Sequence, residues 1–175
     1  MSKPSASLMV AVVDQVVCVK IAGRASFTSS LDFKKLITEL ADRGYNRFVV
    51  DLSECLMMDS TFLGVLAGIG LKFAGTNGNK NLHPVELLNA NERLRELLEN
   101  LGIAHLFKIV QATRTPDEAQ FAAVCAADSS RVDMTRNCLE AHQLLMSLNP
   151  ANVGRFKDCT RFLAEDLRRL EAKSS

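Results

Sequence analysis

One hydroxyl stands out for the chemistry it could do. Ser60 lies in Met58-Asp59-Ser60-Thr61-Phe62-Leu63-Gly64, shortly after the apolar run Val49-Val50-Asp51-Leu52. The run reads as a buried strand and the segment from Ser60 as a helix start. The serine then sits in a first helical turn, where unpaired N–H groups and the positive helix end favour an anion. Phosphorylation suits such a position, because the ester adds about −1.5 to −2 charges and three acceptor oxygens. The helix end would favour that charge by up to about 1–2 kcal/mol, so the change is local and not an unfolding. A partner carboxylate about 6 Å away would be repelled by roughly 1–6 kcal/mol for effective dielectrics between about 80 and 20. Even the lower part of that range changes affinity about tenfold. The plain alternative is a serine that satisfies one backbone N–H, with Asp59 as the helix cap.

Other reactive arrangements are absent. There is no Gly-x-Ser-x-Gly elbow, and His83, His105 and His142 fall at strand, loop and helix positions with no pairing logic, so no catalytic residue is assigned. Cys138 and His142, four apart on an expected helix, offer two metal ligands without a third, and a buried cysteine beside a surface histidine is the simpler reading. Gly75 to Asn79 lacks the Lys-Ser/Thr ending of a phosphate-binding loop. No metal and no cofactor is expected.

Charge points the same way. With 21 Lys+Arg against 20 Asp+Glu, no overall field draws the chain to nucleic acid or an anionic membrane. The basic residues near the C-terminus alternate with acids and read as a solvated helix face. The longest uncharged stretch, between Asp59 and Lys72, is too short for the ~20 residues that cross a bilayer. Five cysteines without a Cys-x-x-Cys pair suggest reduced thiols, and the N-terminus lacks a secretory core, so a cytoplasmic location is expected.

The elements that must position Ser60 follow from periodicity. Leu8 to Val13 and Val16 to Ala22 form a hairpin around Asp14-Gln15. A helix over Ser30 to Asp42 is capped by Ser29 or Ser30 and ended by Gly44. Arg47 to Leu52, the Ser60–Ala74 helix and His83 to Leu88 make a right-handed βαβ unit with parallel strands. Asn89 caps a helix with Glu92 at its third position, closed by Gly102. Leu106 to Val110 supplies a last strand, and Thr115-Pro116-Asp117-Glu118 starts a helix to about Ala127. The polar stretch from Asp128 to Arg131 is the boundary between a domain at 1–127 and an extension at 128–175. In the extension, Met134, Cys138, Ala141, Leu145 and Leu148 form one stripe, and Phe156, Cys159, Leu163, Leu167 and Leu170 another. With Asn149-Pro150 between them, the pair reads as an antiparallel helical hairpin that must pack on itself and on something else.

The strand, the Asp59-Ser60 pair, Leu63-Gly64 and the order of elements around them resemble the STAS family of bacterial anti-sigma factor antagonists, from about Leu8 to Ala127. The resemblance implies an α/β STAS fold: a mixed four- to five-stranded sheet with helices mainly on one face, here with a C-terminal α-helical hairpin added. It implies Ser60 as phosphoacceptor, a serine kinase anti-sigma factor as partner and a metal-dependent serine phosphatase that resets the switch. Two features depart from the pattern. Thr61-Phe62 replace a tract that is usually small, and an exposed Phe62 would enlarge the docking surface. Ser26 stands in the Gly23-Arg24-Ala25-Ser26 loop where the family usually carries an acid, while Arg24 could pair with a phosphate or be a solvated loop charge. Gly64, Ala67, Gly68 and Gly70 thin one side of the helix, offering a shallow docking surface beside Ser60, although sheet packing accounts better for Ala67 and Gly68. The expected partner-binding set is therefore Arg24, Ser26, Asp59, Thr61, Phe62 and Gly64. A competing reading makes the core a constitutive scaffold or ligand-sensing module, with the hairpin mediating self-association or recruiting another signalling protein.

Overall fold

The computed structural model describes residues 5–74, 85–112 and 115–175. The expected connector at Gly75 to Asn79 and the residue His83 lie outside them.

The chain opens with β1 (Ser7–Val13) and β2 (Val16–Ala25), paired antiparallel. Asp14 and Gln15 take φ of 50° and 68°, the left-handed pair of a two-residue hairpin turn. β2 alternates in a useful way: Val17, Val19 and Ile21 enter the main core, whereas Cys18 and Lys20 are buried on the other face. α1 (Phe27–Asp42) follows, then β3 (Arg47–Asp51), β4 (Cys55–Met58), α2 (Ser60–Ala74), β5 (Val85–Leu88), α3 (Glu92–Asn100) and β6 (Lys108–Val110). The sheet runs β6-β5-β3-β2-β1-β7, where β7 is Ala122–Ala123, with β4 alongside the far end of β2. β2, β3, β5 and β6 are mutually parallel, as βαβ connections require.

Three local expectations are corrected. The helix expected from Thr115 to Ala127 does not form. The start signal is used up in one 3-10 turn, Glu118–Gln120, and the chain then adds β7 (Ala122–Ala123) to the edge of β1, with Val124 N–H donating to Leu8 O at 2.9 Å. Pairing with an open sheet edge outweighs the helix propensity of the alanines. The third helix is capped by Asn91, whose side chain accepts Leu94 N–H, and not by Asn89. Asn89 adopts φ 57° and accepts Ala112 N–H instead. α1 begins at Phe27 behind Ser26, one turn earlier than expected.

The extension is α4 (Arg131–Leu148) and α5 (Ala151–Ser174). α4 lies on α2, and its Ala141 and Leu145 belong to the same apolar core as the sheet. α5 packs on α4. The turn between them is held by Asn152, which donates to Leu101 O at 2.9 Å and Leu145 O at 2.8 Å. Among the described residues, no helix is long and apolar enough to cross a membrane.

Candidate functional site

β2 and β4 run parallel and stop together, at Ala25 and Met58, so the helices that follow them start side by side. Asp59 joins the two starts. Its N–H donates to Ala25 O at 2.9 Å, Oδ1 accepts Phe62 N–H at 2.9 Å and Oδ2 accepts Phe27 N–H at 2.7 Å. One carboxylate thus caps both α2 and α1. Ser26 is the N-cap residue of α1: its N–H donates to Ser29 Oγ at 3.2 Å, and its hydroxyl lies 2.8 Å from Thr28 Oγ1. The structure therefore brings Ser26, Asp59 and Ser60 to one corner of the sheet. Arg24 stays exposed on β2, and its Nη1 donates to Met57 Sδ at 3.3 Å.

Ser60 is the first residue of α2 and is half-buried, not presented outward. Its Oγ lies 2.8 Å from Nε2 of His142 on α4, and His142 Nδ1 lies 2.7 Å from Cys138 O. A carbonyl can only accept, so Nδ1 carries a proton. In the neutral ring Nε2 then has only a lone pair, and Ser60 O–H donates to it. His142 is 5% exposed and meets Phe156 edge-on, with ring centroids 5.1 Å apart. The expected surface histidine is thus a buried one with both nitrogens engaged, because α4 turns that side of the stripe toward α2. Sequence reasoning missed its role. The available signal was its place beside Ala141 on the apolar stripe.

The neighbours of Ser60 are covered as well. Thr61 is buried, and its hydroxyl donates to Cys138 Sγ at 3.7 Å. Phe62 is fully buried and stacks on Phe33, with centroids 5.1 Å apart. The expected exposed Phe62 is therefore a core residue, since the third position of α2 faces α1. Gly64 lies under α4 so closely that a Cβ there would come within 2.5 Å of Ala141 O. Gly68 meets α4 less tightly, a Cβ there coming 3.3 Å from a Leu144 methyl, and Gly70 faces Phe107. The small-residue side of α2 is a helix-packing face, occupied by α4 over Gly64 and Gly68.

A serine bonded to a histidine invites comparison with a nucleophilic dyad. Here the group orienting the histidine is a neutral carbonyl, which cannot stabilise an imidazolium as a carboxylate does, and α4 closes over the pair. The geometry describes a closed contact better than an acyl-transfer centre. Among the described residues, no cluster of three or more His, Cys, Asp or Glu is arranged to hold a metal.

Burial pushes the Cys18 and Cys55 thiols from 9.0 up to about 11, with Asp51 adding to the effect at Cys18. Lys20, bonded to Glu54 at 3.1 Å and to Glu118 at 3.3 Å, is held above its ordinary 10.5, chiefly by Glu54. In each case the fold keeps a proton that the unfolded chain gives up sooner. Stability is therefore fully present below pH 9 and falls as the pH climbs through about 11. Urea unfolding midpoints measured below pH 9 and between 9 and 11 should decline across that window. A flat profile would contradict the assignment.

No curated protein matches the chain. Among solved structures, TM1081 from Thermotoga maritima, described as a candidate anti-sigma factor antagonist, matches with 25% identity and a TM-score of 0.52, covering 59% of this chain and 85% of its own. The Bacillus cell fate determinant SpoIIAA in its phosphorylated form matches in fold with 18% identity and a TM-score of 0.50, covering 65% of this chain and 95% of its own. The family model for the STAS domain matches residues 7–116, ending before the α4–α5 hairpin, and on that match the chain belongs to the STAS domain family.

Proposed function

We propose that the protein is an anti-sigma factor antagonist whose Ser60 is a phosphorylation switch. The observation that carries this reading is the corner built by Asp59: a strand end, a helix start and one hydroxyl at the first position of that helix. The likeness to TM1081 supports it. With Ser60 free, the protein binds a serine kinase that otherwise sequesters a sigma factor, and the sigma factor is released. The kinase then transfers the γ-phosphoryl of ATP to Ser60 Oγ. A P–O bond forms there, the bond to ADP breaks and the hydroxyl proton leaves to a base on the kinase. The new dianion repels acidic groups of the partner, and the complex separates. A metal-dependent serine phosphatase resets the switch in the cytoplasm. Asp59, Ser26 and Arg24 border the contact, with Thr61, Phe62 and Gly64 beneath or beside it.

Intact-mass spectrometry after incubation with ATP and the kinases encoded near the gene tests the switch. Addition of one phosphate to the wild type and none to Ser60→Ala is the expected result. Absence of phosphate with every candidate kinase would remove the proposal.

A second reading, a constitutive scaffold acting through the hairpin, is favoured by one observation. α5 leaves Val153 and Phe162 43% and 60% exposed, apolar surface that self-association or another signalling protein could cover. A monomer at all concentrations in sedimentation, together with Ser60 phosphorylation, favours the switch.

A further inference from the structure

We propose that the face of α2 beside Ser60 is a shared docking surface, held by α4 in the closed chain and taken by the kinase only after the hairpin lifts away. The inference rests on the switch reading and adds an internal competitor to it.

Four contacts place α4 over the phosphoacceptor. His142 accepts the Ser60 hydroxyl at 2.8 Å, Cys138 accepts from Thr61 at 3.7 Å, Ala141 is seated on Gly64, and Leu144 faces Gly68. The side of Oγ toward the histidine is filled by the ring, so an incoming phosphoryl group and the active site carrying it need the space α4 occupies. The surface also states what fits it. Thr61 and Gly64 admit only a partner segment whose contact residue is as small as Ala141, flanked by apolar groups such as Leu144. The competing surface of the kinase should therefore be a helix with a small residue at its centre.

The closed interface is incompletely filled and incompletely paired. Between α1, α2 and α4 it leaves a groove of about 240 Å³, lined by Lys34, Val65, Ile69, Asn137 and Leu144 among others. Asn137 and Asn152 of the hairpin donate to Ser30 Oγ and Leu101 O, both at 2.9 Å, yet the Oδ1 of each is buried without a hydrogen-bond partner among the described residues. The two unpaired acceptors offset part of what those two bonds contribute to docking, and opening would hydrate them. The hairpin ends of the chain lie beyond the family match at 7–116, so a minimal domain would lack this competitor.

Two full-chain experiments decide it. In the first, Ser60→Cys is alkylated with iodoacetamide and the modification at position 60 is followed by peptide mass. The wedge Ala141→Leu, which keeps His142 while prising α4 from Gly64, should raise the rate about two- to tenfold. Equal rates with and without the wedge would overturn the inference without any kinase. In the second, Thr61→Cys is placed opposite Cys138, with the exposed Cys125 and Cys159 replaced by serine, and oxidised to lock α4 on α2. The oxidised form should resist phosphorylation and kinase binding, with its own dithiothreitol-reduced form as reference. Equal phosphate in both forms defeats the competitor and leaves the switch standing. No phosphate in wild type, reduced lock or Ala141→Leu defeats the switch itself, and the competitor with it.

Discussion

Adding one methyl group at Gly64 should destabilise this protein, and adding the same group at Gly154 should stabilise it. Both glycines are helical, at α2 and α5. In a helix interior, Gly to Ala is worth about 0.8–1.0 kcal/mol in favour of alanine. At Gly154, in the first turn of α5, nothing lies within 4 Å of the new Cβ, so the change keeps that sign with at most that size. At Gly64 the Cβ would lie 2.5 Å from Ala141 O and 2.7 Å from Ala141 Cβ. The obstacle is backbone, which no rotamer change can clear. Overpacking costs typically about 1–3 kcal/mol, so at Gly64 the steric term wins and α4 must shift away from α2. Urea midpoints should move in opposite directions for the two variants. Amide exchange should quicken in Arg131–Leu148 for Gly64→Ala alone. If Gly64→Ala proves as stable as Gly154→Ala, α4 is not seated on α2 as described.

The contrast also explains what was readable in the chain. β1, β2 and β3 were legible because alternating valines and a two-residue turn are local signals, and Asp14 and Gln15 did adopt the turn. The stripe Met134, Cys138, Ala141, Leu145 and Leu148 showed that α4 needed an apolar partner, but a stripe does not name what it packs on. The small residues of α2 held the complementary half of that information. Only their meeting in space shows that Gly64 answers Ala141. β4 was missed because four residues behind Ser53-Glu54 carry too little pattern, and β7 because two alanines pair with β1 from more than a hundred residues away. The family pattern around the serine says nothing of which way Phe62 faces. Its ring belongs to the α1–α2 contact with Phe33. His142 meets Ser60 across 82 positions, beyond the reach of any periodicity.

Asp59 is the position where the most conservative substitution should fail most informatively. Its two oxygens accept from Phe62 N–H and Phe27 N–H, which belong to different helices. An ionised carboxylate is acceptor-only on both sides. Asp59→Asn keeps the shape but offers one acceptor and one NH2, and whichever way the amide turns, a donor faces a donor. Asn is an excellent cap for a single helix, so a carboxylate serving α2 alone would tolerate the change with little loss. Serving two, it should lose one charge-assisted bond and gain a repulsion, about 1–3 kcal/mol in all. Asp59→Ala removes both acceptors. The Phe27 amide is in reach of water whereas the Phe62 amide is part-buried, so the expected loss is about 2–4 kcal/mol and falls mainly on α2. Equilibrium unfolding in urea supplies the totals, and amide exchange at Phe27 and Phe62 tells which cap is lost. Asp59→Asn as stable as wild type would mean that the carboxylate holds only one helix. The corner that sets Ser60 at the first position of α2 would then rest on Ser26 and the Asp59 N–H to Ala25 O bond alone.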